Sequence, residues 1–387
     1  MKNQFHLMQI NLVFHDYKFA LLGFLTAFIV TMITIPPVIA LFKKFEMYDM
    51  PSARKIHTIP IPTLGGISII AGMIAALLFW FPFKNDPEQI CFFFSLIVLT
   101  ALGIMDDLRN LSARYKFIIQ IAVALLMAAS GIRISNFEGL FGMYQLPLFA
   151  QYTFTVLAIV GITNAFNLID GIDGLAGSLG FMSLITLGIF LGLNHDFNSS
   201  LIAFAMAGGI LAFLYFNFNP AKIFMGDTGS LVLGFSIAIL CIRLMQSNAY
   251  STHPVLQHAP IFTLGIVLIP VFDTLRVFSL RIYNGKSPFL ADKIHIHHLL
   301  MRAGFSHTYT TRLICFIHSV ILLEVFWMQS MNQEWALALL MIFMIVVTVL
   351  VKNLSVVYSH KKHPLLSLFK ELPDPSPERK SETNKIL

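Results

Sequence analysis

Charge is scarce in this chain. Asp, Glu, Lys and Arg make up 12% of its 387 residues, whereas 57% are hydrophobic and the mean hydropathy is +0.76. A water-soluble domain of this length cannot bury so much apolar side chain, because its surface still has to be covered. Cysteine is scarcer still. Cys91, Cys241 and Cys315 all lie inside apolar runs with no CxxC spacing, which argues against a disulfide framework or a zinc site and for buried free thiols. Also missing, in MKNQFHLMQINLVFHDYKF, is a short apolar region followed by a small-residue cleavage site. No removable signal peptide is expected, and the first span itself should direct insertion. No internal repeat is evident. The one surplus is a net charge of +6, with a pI near 9.2. It does not point to nucleic acid, because the basic residues sit in short loops between apolar runs, where they act as topology signals and anion contacts.

What the chain does have is long apolar runs. A bilayer core of roughly 30 Å needs about 20 apolar residues per helix, and eleven such stretches are expected, at 19–42, 64–83, 89–105, 115–134, 148–166, 174–193, 200–218, 229–246, 260–281, 312–330 and 335–352. The fold class is therefore an all-α polytopic integral membrane protein, with residues 1–352 as the transmembrane domain. Residues 353–387 form a polar cytoplasmic tail expected to be disordered. With the N-terminus outside, the inner set comprises Lys43, Lys44, Arg54, Lys55, Arg109, Arg114, Lys116, Lys222, Arg281, Lys286, Lys293, Arg302, Arg312 and the tail. That is 20 of the 26 basic residues, which fixes an N-out, C-in topology. The same topology puts Asp106, Asp107, Asp170, Asp173, Asp227 and Asp292 at inner span ends or inner loops. The outer acids Asp86, Glu88, Glu138, Asp196 and Glu334 are expected to form no comparable cluster.

Five segments carry groups suited to chemistry. GIMDDLRNLSARYK ends the third span with Asp106 and Asp107, which oppose the helix dipole and need a cation. Their side chains diverge by about 100°, so they should do different jobs; a solvated helix end neutralised by Arg109, Arg114 and Lys116 accounts for them equally well. NAFNLIDGIDGLAG presents Asn164, Asn167, Asp170 and Asp173 at every third residue, with Gly171 and Gly174 allowing close backbone approach. The alternative is an Asx/Gly turn, although two acids and two amides without a basic partner near a membrane favour function. NFNPAKIFMGDTGSL sets Asp227 near a helix start expected at Thr228, where it serves either as an N-cap or beside a phosphate held on the open backbone of Gly226 and Gly229. Phe224 offers an aromatic face to a base, and Asn217 and Asn219 add neutral hydrogen-bonding groups. SPFLADKIHIHHLLMRAGF gathers Asp292, Lys293, His295, His297, His298 and Arg302. Without cysteine or a separate ligand group this suits phosphates or proton transfer better than zinc, and a solvated basic loop is the bland alternative. PSARKIHTIPIPTLGG, with Arg54, Lys55 and His57, is explained by topology alone. Asp273 and Arg276, one turn apart in the ninth span, read as a structural ion pair.

Oxygen-rich carboxylate sites suit Mg²⁺, which keeps waters and shares phosphate oxygens, and phosphoryl transfer needs positioning and charge neutralisation above all. The mixture implies a soluble diphosphate and an anionic lipid as substrates.

With those residues in view, the chain resembles the polyprenyl-phosphate N-acetylhexosamine-1-phosphate transferases (glycosyltransferase family 4). The resemblance rests on the Asp106–Asp107 pair, NAFNLIDGIDGLAG, NxNPAKIFMGDTGSL and the HIHH loop in the family's order, and covers nearly the whole length before the tail. It implies transfer of a sugar 1-phosphate from a UDP-sugar to undecaprenyl phosphate in the cytoplasmic (inner) membrane, with release of UMP. Asp227 then matches the magnesium ligand, joined by Asp106 or Asp107, with Mn²⁺ as an alternative ion. Asp106, Asp107, Asp170, Asp173, His297 and His298 match catalytic positions. Lys55, Lys116, Asn167, Asn217, Phe224, His295 and Arg302 fall to substrate binding. The D-K-I-H-I-H-H loop resembles the branch that uses UDP-N-acetylglucosamine to initiate O-antigen, enterobacterial common antigen or teichoic-type polymers; the phospho-N-acetylmuramoyl-pentapeptide branch carries a contiguous triple histidine, absent here. The implied partners are undecaprenyl phosphate, a UDP-N-acetylhexosamine and the bilayer, with a homodimer compatible and nucleic acid excluded. Two rivals remain: a prenyltransferase, disfavoured by DD and DxxD in place of DxxxD spacing, and an ion-coupled transporter, which would need mid-span acids.

Overall fold

The computed structural model describes residues 2–44, 61–287 and 294–362. Over these it is built of helices α1 (Lys2–Lys44), α2 (Gly65–Trp80), α3 (Pro87–Arg109), α4 (Ala113–Ser130), α5 (Leu148–Ile169), α6 (Leu175–Leu193), α7 (Phe197–Asn217), α8 (Gly226–Tyr250), α9 (Ala259–Tyr283), α10 (Ile296–Arg302), α11 (His307–Trp327) and α12 (Gln333–Lys362). Ten of them are long and apolar enough to cross a membrane, and the protein is polytopic and all-helical. The expected span at 64–83 is the shorter apolar helix α2. Phe81 turns extended at its end, as the residue before Pro82 is biased to do. At the other boundaries α1 is already helical from Lys2, and α12 continues to Lys362, taking in the first ten residues of the expected polar tail. Residues 363–387 lie outside the described residues, as do Arg54, Lys55, His57, Asp292 and Lys293.

Hydrophobicity on every side marks a helix for the interior, and α8 occupies that place, packed against α2, α3, α5, α6 and α9. In the spans of α1, α11 and α12 only about a fifth of the residues are buried; lipid contact makes such exposure of apolar side chains inexpensive. Two close approaches set the position of α8's first turn. A Cβ on Gly66 would overlap the backbone of Gly229, and one on Gly103 would overlap that of Thr228, so α2 and α3 press backbone against backbone onto α8. Local signals mark the ends. Asp86 caps α3 through Glu88 N at 3.2 Å with Pro87 following, Asn110 ends it at φ 49°, and Asp196 caps α7.

At the end of the bundle remote from Asp106 the structure corrects one expectation. Arg243 Nη1 reaches Glu88 at 2.6 Å and Nη2 reaches Asp196 at 2.9 Å, so two of the supposedly scattered acids form a network around one arginine. Long-range contact between α3, α7 and α8 creates it, and no spacing along the chain announces it. The network also explains how Arg243 is tolerated within a span. Cys91, Cys241 and Cys315 are free, and Cys241 is buried.

Candidate active site

Three chain segments bring carboxylates to one point. Asp106 and Asp107 occupy the last turn of α3, Lys116 the first turn of α4, and Asp227 the first turn of α8. The Lys116 ammonium lies 2.9 Å from Asp106 Oδ2 and 2.7 Å from Asp227 Oδ2, the latter 111 positions further along the chain. Asp106 uses its other oxygen locally, accepting Leu111 N at 2.7 Å just past the helix end.

Asp107 faces elsewhere, as the angular divergence of neighbouring helical residues requires. Its Oδ1 accepts Asp227 N at 2.8 Å; its Oδ2 accepts Thr228 N at 3.0 Å and Thr228 Oγ1 at 2.6 Å. A carboxylate that opposes the dipole of its own helix thus caps the N-terminus of another. Two expectations change. Helix α8 starts at Gly226, so Asp227 lies inside its first turn and is not the N-cap. And the terminus expected to cradle a phosphate already holds Asp107. Gly226 at φ 70° makes this possible, because a Cβ there would crowd the Asp107 carboxylate and Thr63 O.

The loop between α5 and α6 divides its two acids. Asp170, at the end of α5, accepts no hydrogen bond from any described residue. Burial, with the charges of Asp227, Asp107 and Asp173 behind it, pushes its carboxyl up to about 7. Asp173 is tethered. Its Oδ2 accepts Asn219 Nδ2 at 2.7 Å and Ala221 N at 3.2 Å, its Oδ1 lies 3.5 Å from His307 Nδ1, and its main-chain oxygen accepts Thr311 Oγ1 at 3.0 Å. Burial pushes its carboxyl up, but His307, Asn219 and Ala221 together outweigh burial and hold it below the usual range. Asn217 latches the same loop, accepting Gly174 N at 2.9 Å and donating to Ile223 O at 2.8 Å. Asn167 donates to Ser230 Oγ at 2.9 Å, tying α5 to α8, and Asn164 donates to Gln120.

The histidine segment is described from Ile294 onward. Asp273 organises it. The Arg276 guanidinium reaches one oxygen at 2.6 Å, His295 Nδ1 reaches the other at 2.8 Å, and Ile296 N donates to both. The expected Asp273–Arg276 ion pair is present, with His295 added to it. His297 is 1% exposed, and neither ring nitrogen has a hydrogen-bond partner among the described residues. Its ring occupies the space a Cβ on Gly171 would need. Burial above all, with the His298 charge, pushes its pKa down to about 3. Burial thus favours the neutral ring in the ligand-free site, one ring nitrogen carrying a proton and the other a lone pair. His298 stands against it, with ring centroids 4.2 Å apart, and Arg302 is exposed at the end of α10. Phe224 is half-buried, its backbone pinned between Pro62 O and Gly65 N at 2.8 and 2.9 Å.

Asp106, Lys116 and Asp227 thus meet directly, with Asp107 and Asn167 bound to the same turn of α8. Asp170, Asp173 and His297 form the adjoining wall, while His295 is drawn away to Asp273. Among the described residues no three His, Cys, Asp or Glu side chains form a ready-made metal cage. Sequence reasoning missed Thr228, Ser230, His307 and Thr311. The first two sit in GDTGS beside Asp227 and were open to notice; nothing along the chain points to the others.

Comparison with known proteins accords with this geometry. The family described as "Glycosyl transferase family 4" matches residues 89–245, a stretch holding the α3, α5 and α8 carboxylates. A Bacillus subtilis (strain 168) protein named "Probable undecaprenyl-phosphate N-acetylglucosaminyl 1-phosphate transferase" is 33% identical over 351 residues, covering 89% of this chain and 96% of that one. The "Undecaprenyl-phosphate alpha-N-acetylglucosaminyl 1-phosphate transferase" of Escherichia coli (strain K12) is 31% identical over 270 residues, 68% of this chain and 71% of its own. The Salmonella typhi protein of the same name is 32% identical over 269 residues, again 68% and 71%. With its acids, lysine and amides gathered at one end of a helical membrane bundle, the chain belongs to glycosyl transferase family 4, the polyprenyl-phosphate N-acetylhexosamine-1-phosphate transferases.

Proposed function

We propose that this enzyme transfers N-acetylglucosamine 1-phosphate from UDP-N-acetylglucosamine to undecaprenyl phosphate, releasing UMP and starting a lipid-linked surface polysaccharide such as O-antigen. The names of the relatives support the acceptor and the sugar. The observation that carries the reading is the single ammonium of Lys116 between Asp106 and Asp227, brought together from α3, α4 and α8. In this reading eleven spans, with α2 the short one, run N-out to C-in, and the site faces the cytoplasm, where nucleotide sugars are made.

The donor set fits Mg²⁺. Asp227 and Asp106 present oxygens, Asp170 has no hydrogen-bond donor among the described residues, and sulfur ligands are absent from the site. Two or three carboxylates suffice for an ion that completes its shell with water and phosphate oxygens. When bound, it would neutralise the diphosphate and the developing charge of transfer. The protein's own groups do the rest. Asp107 fixes the first turn of α8 and is a positioning residue, since three donors already occupy its carboxylate. Lys116 moves from a carboxylate to a phosphate oxygen once the donor arrives. A phosphate monoester loses its second proton near pH 6, and we assign Asp170, which has no hydrogen-bond donor among the described residues and feels the charge of Asp227, to take that proton from the lipid phosphate. A lipid phosphate oxygen then bonds to the sugar-linked phosphorus, and the bond to the UMP oxygen breaks, its electron pair leaving with UMP. One phosphoanhydride replaces another, so the reaction runs in both directions.

The test uses purified protein in nanodiscs with undecaprenyl phosphate, Mg²⁺ and a panel of UDP-sugars that includes UDP-N-acetylmuramoyl-pentapeptide. Turnover is expected with UDP-N-acetylglucosamine, with exchange of labelled UMP into the donor and loss of both in Asp227→Asn. Near-normal turnover by Asp227→Asn would remove the metal assignment. Active protein that never exchanges UMP would overturn the one-step scheme.

A further inference from the structure

His307 and Thr311 have no part in the scheme above, yet both touch Asp173 from the first turns of α11. His307 Nδ1 lies 3.5 Å from Asp173 Oδ1, is sealed from solvent and has no hydrogen-bond partner of its own among the described residues. Thr311 Oγ1 holds the Asp173 main-chain oxygen at 3.0 Å. Helix α11 therefore grips one loop residue by side chain and main chain together. Asn219, Ala221 and Asn217 hold the loop from the opposite flank. Asp170 has no such tether, and its place follows from Asp173 on one side and from His297 against Gly171 on the other.

We propose that His307 is a positioning residue for the transfer reaction: through Asp173 it fixes the loop from Ile169 to Leu175 and so sets where the Asp170 carboxylate stands relative to Asp227. The proposal rests on the reading that this loop serves catalysis. The 3.5 Å contact is longer than an ordinary N–H···O bond, and such contacts tighten when ligands draw a site together. The α10–α11 segment is thereby tied to the loop twice, by His297 over Gly171 and by His307 at Asp173. Displacements of about 1 Å at a catalytic group cost up to a hundredfold in rate, so a tether of this kind is felt in kcat.

Nanodisc-embedded protein with UDP-N-acetylglucosamine as donor provides the test. His307→Ala should lower kcat roughly tenfold with little change in KM. His307→Asn places an amide N–H near the position of Nδ1 and should recover most of the rate. His307→Gln, whose amide reaches toward Nε2, should not. Because His307 acts through Asp173, Asp173→Asn/His307→Ala should be no slower than Asp173→Asn alone. Hydrogen exchange of the 169–175 backbone should quicken in His307→Ala, and this reading needs no turnover. If the two rate losses multiply, if His307→Asn is as slow as His307→Ala, or if loop exchange is unchanged, the proposal is wrong. Should His307→Ala fail to fold, Thr311→Val, which removes one hydroxyl, carries the same exchange test. Wild-type protein inert toward every UDP-sugar would count against the proposed function, while loop exchange would still decide the role of His307.

Discussion

Replacing Lys116 by Met keeps most of the aliphatic stem and removes the charge that Asp106 and Asp227 share. Both carboxylate oxygens lie within 3 Å of Nζ, so they stand within about 6 Å of each other, and at an effective dielectric near 20 two like charges at that distance repel by roughly 3 kcal/mol. All three side chains are no more than 25% exposed, so solvent screens only part of this. The variant has two ways to relieve the repulsion, protonating one acid or recruiting a cation. A divalent ion that relieved all of it would bind up to about a hundredfold more tightly. Thermal unfolding in detergent, first with a chelator and then across a MgCl₂ titration, separates the terms. Lys116→Met should melt below wild type without metal, regain more on adding Mg²⁺ and reach half-effect at lower concentration. Its turnover should be lost, because no ammonium remains for the phosphate. Identical melting in chelator together with an identical Mg²⁺ midpoint would refute the reasoning, for the two acids would then not be a charged pair held by Lys116.

Three further outcomes follow from the same geometry. Asp107→Asn should lower stability by about 2 kcal/mol, since charge-assisted bonds to the α8 terminus weaken, and should lower turnover by shifting Asp227; Asp106→Asn should cost much less stability, and unfolding curves compare them. Asp170 binds its proton more tightly in the folded protein than in the unfolded chain, so its own contribution to metal-free stability is fully present below a pH of about 4 and declines as pH rises through about 7. Asp170→Asn should abolish that decline, making it more stable than wild type at pH 8 and no more stable at pH 4. Finally, Tyr250 and Tyr283 are 76% and 89% exposed at the C-terminal ends of α8 and α9. In a cysteine-free background, Tyr250→Cys should react with an impermeant maleimide on intact cells and Tyr283→Cys should not; labelling of both would overturn the topology.

The apolar run lengths and the basic residues were enough to read a polytopic helical bundle, because both signals are local to the chain. The acids were legible as a set for the same reason: motifs at helix ends mark where the backbone turns. Their division of labour was not. That Asp107 caps α8 while Asp106 meets Lys116 depends on how far α3 penetrates beside α8, which is decided by backbone contact at Gly66 and Gly103. Glycine patterns of that kind read equally as turns or as packing. His295 looked like a phosphate ligand by its neighbours in sequence, yet Asp273, more than twenty residues earlier, claims it. The Arg243 network and the His307 tether are likewise products of distant contact, invisible to any spacing rule.

The two halves of the site are held by different means, and in the proposed reaction that difference has a use. Asp106, Asp107 and Asp227 stand on helices pressed together at their backbones, where no side-chain rotation can change the separation. Asp170 and His297 stand on a loop and a short helix held by side-chain bonds to Asp173 and Asp273. A transfer between a lipid phosphate and a nucleotide sugar must keep its charge-neutralising groups fixed while admitting a bulky donor. The backbone-packed half meets the first demand and the tethered half the second. Substitutions in the first half should therefore be felt mainly in metal affinity and stability. Those in the second half should be felt mainly in the rate, and in the pH at which that rate is reached.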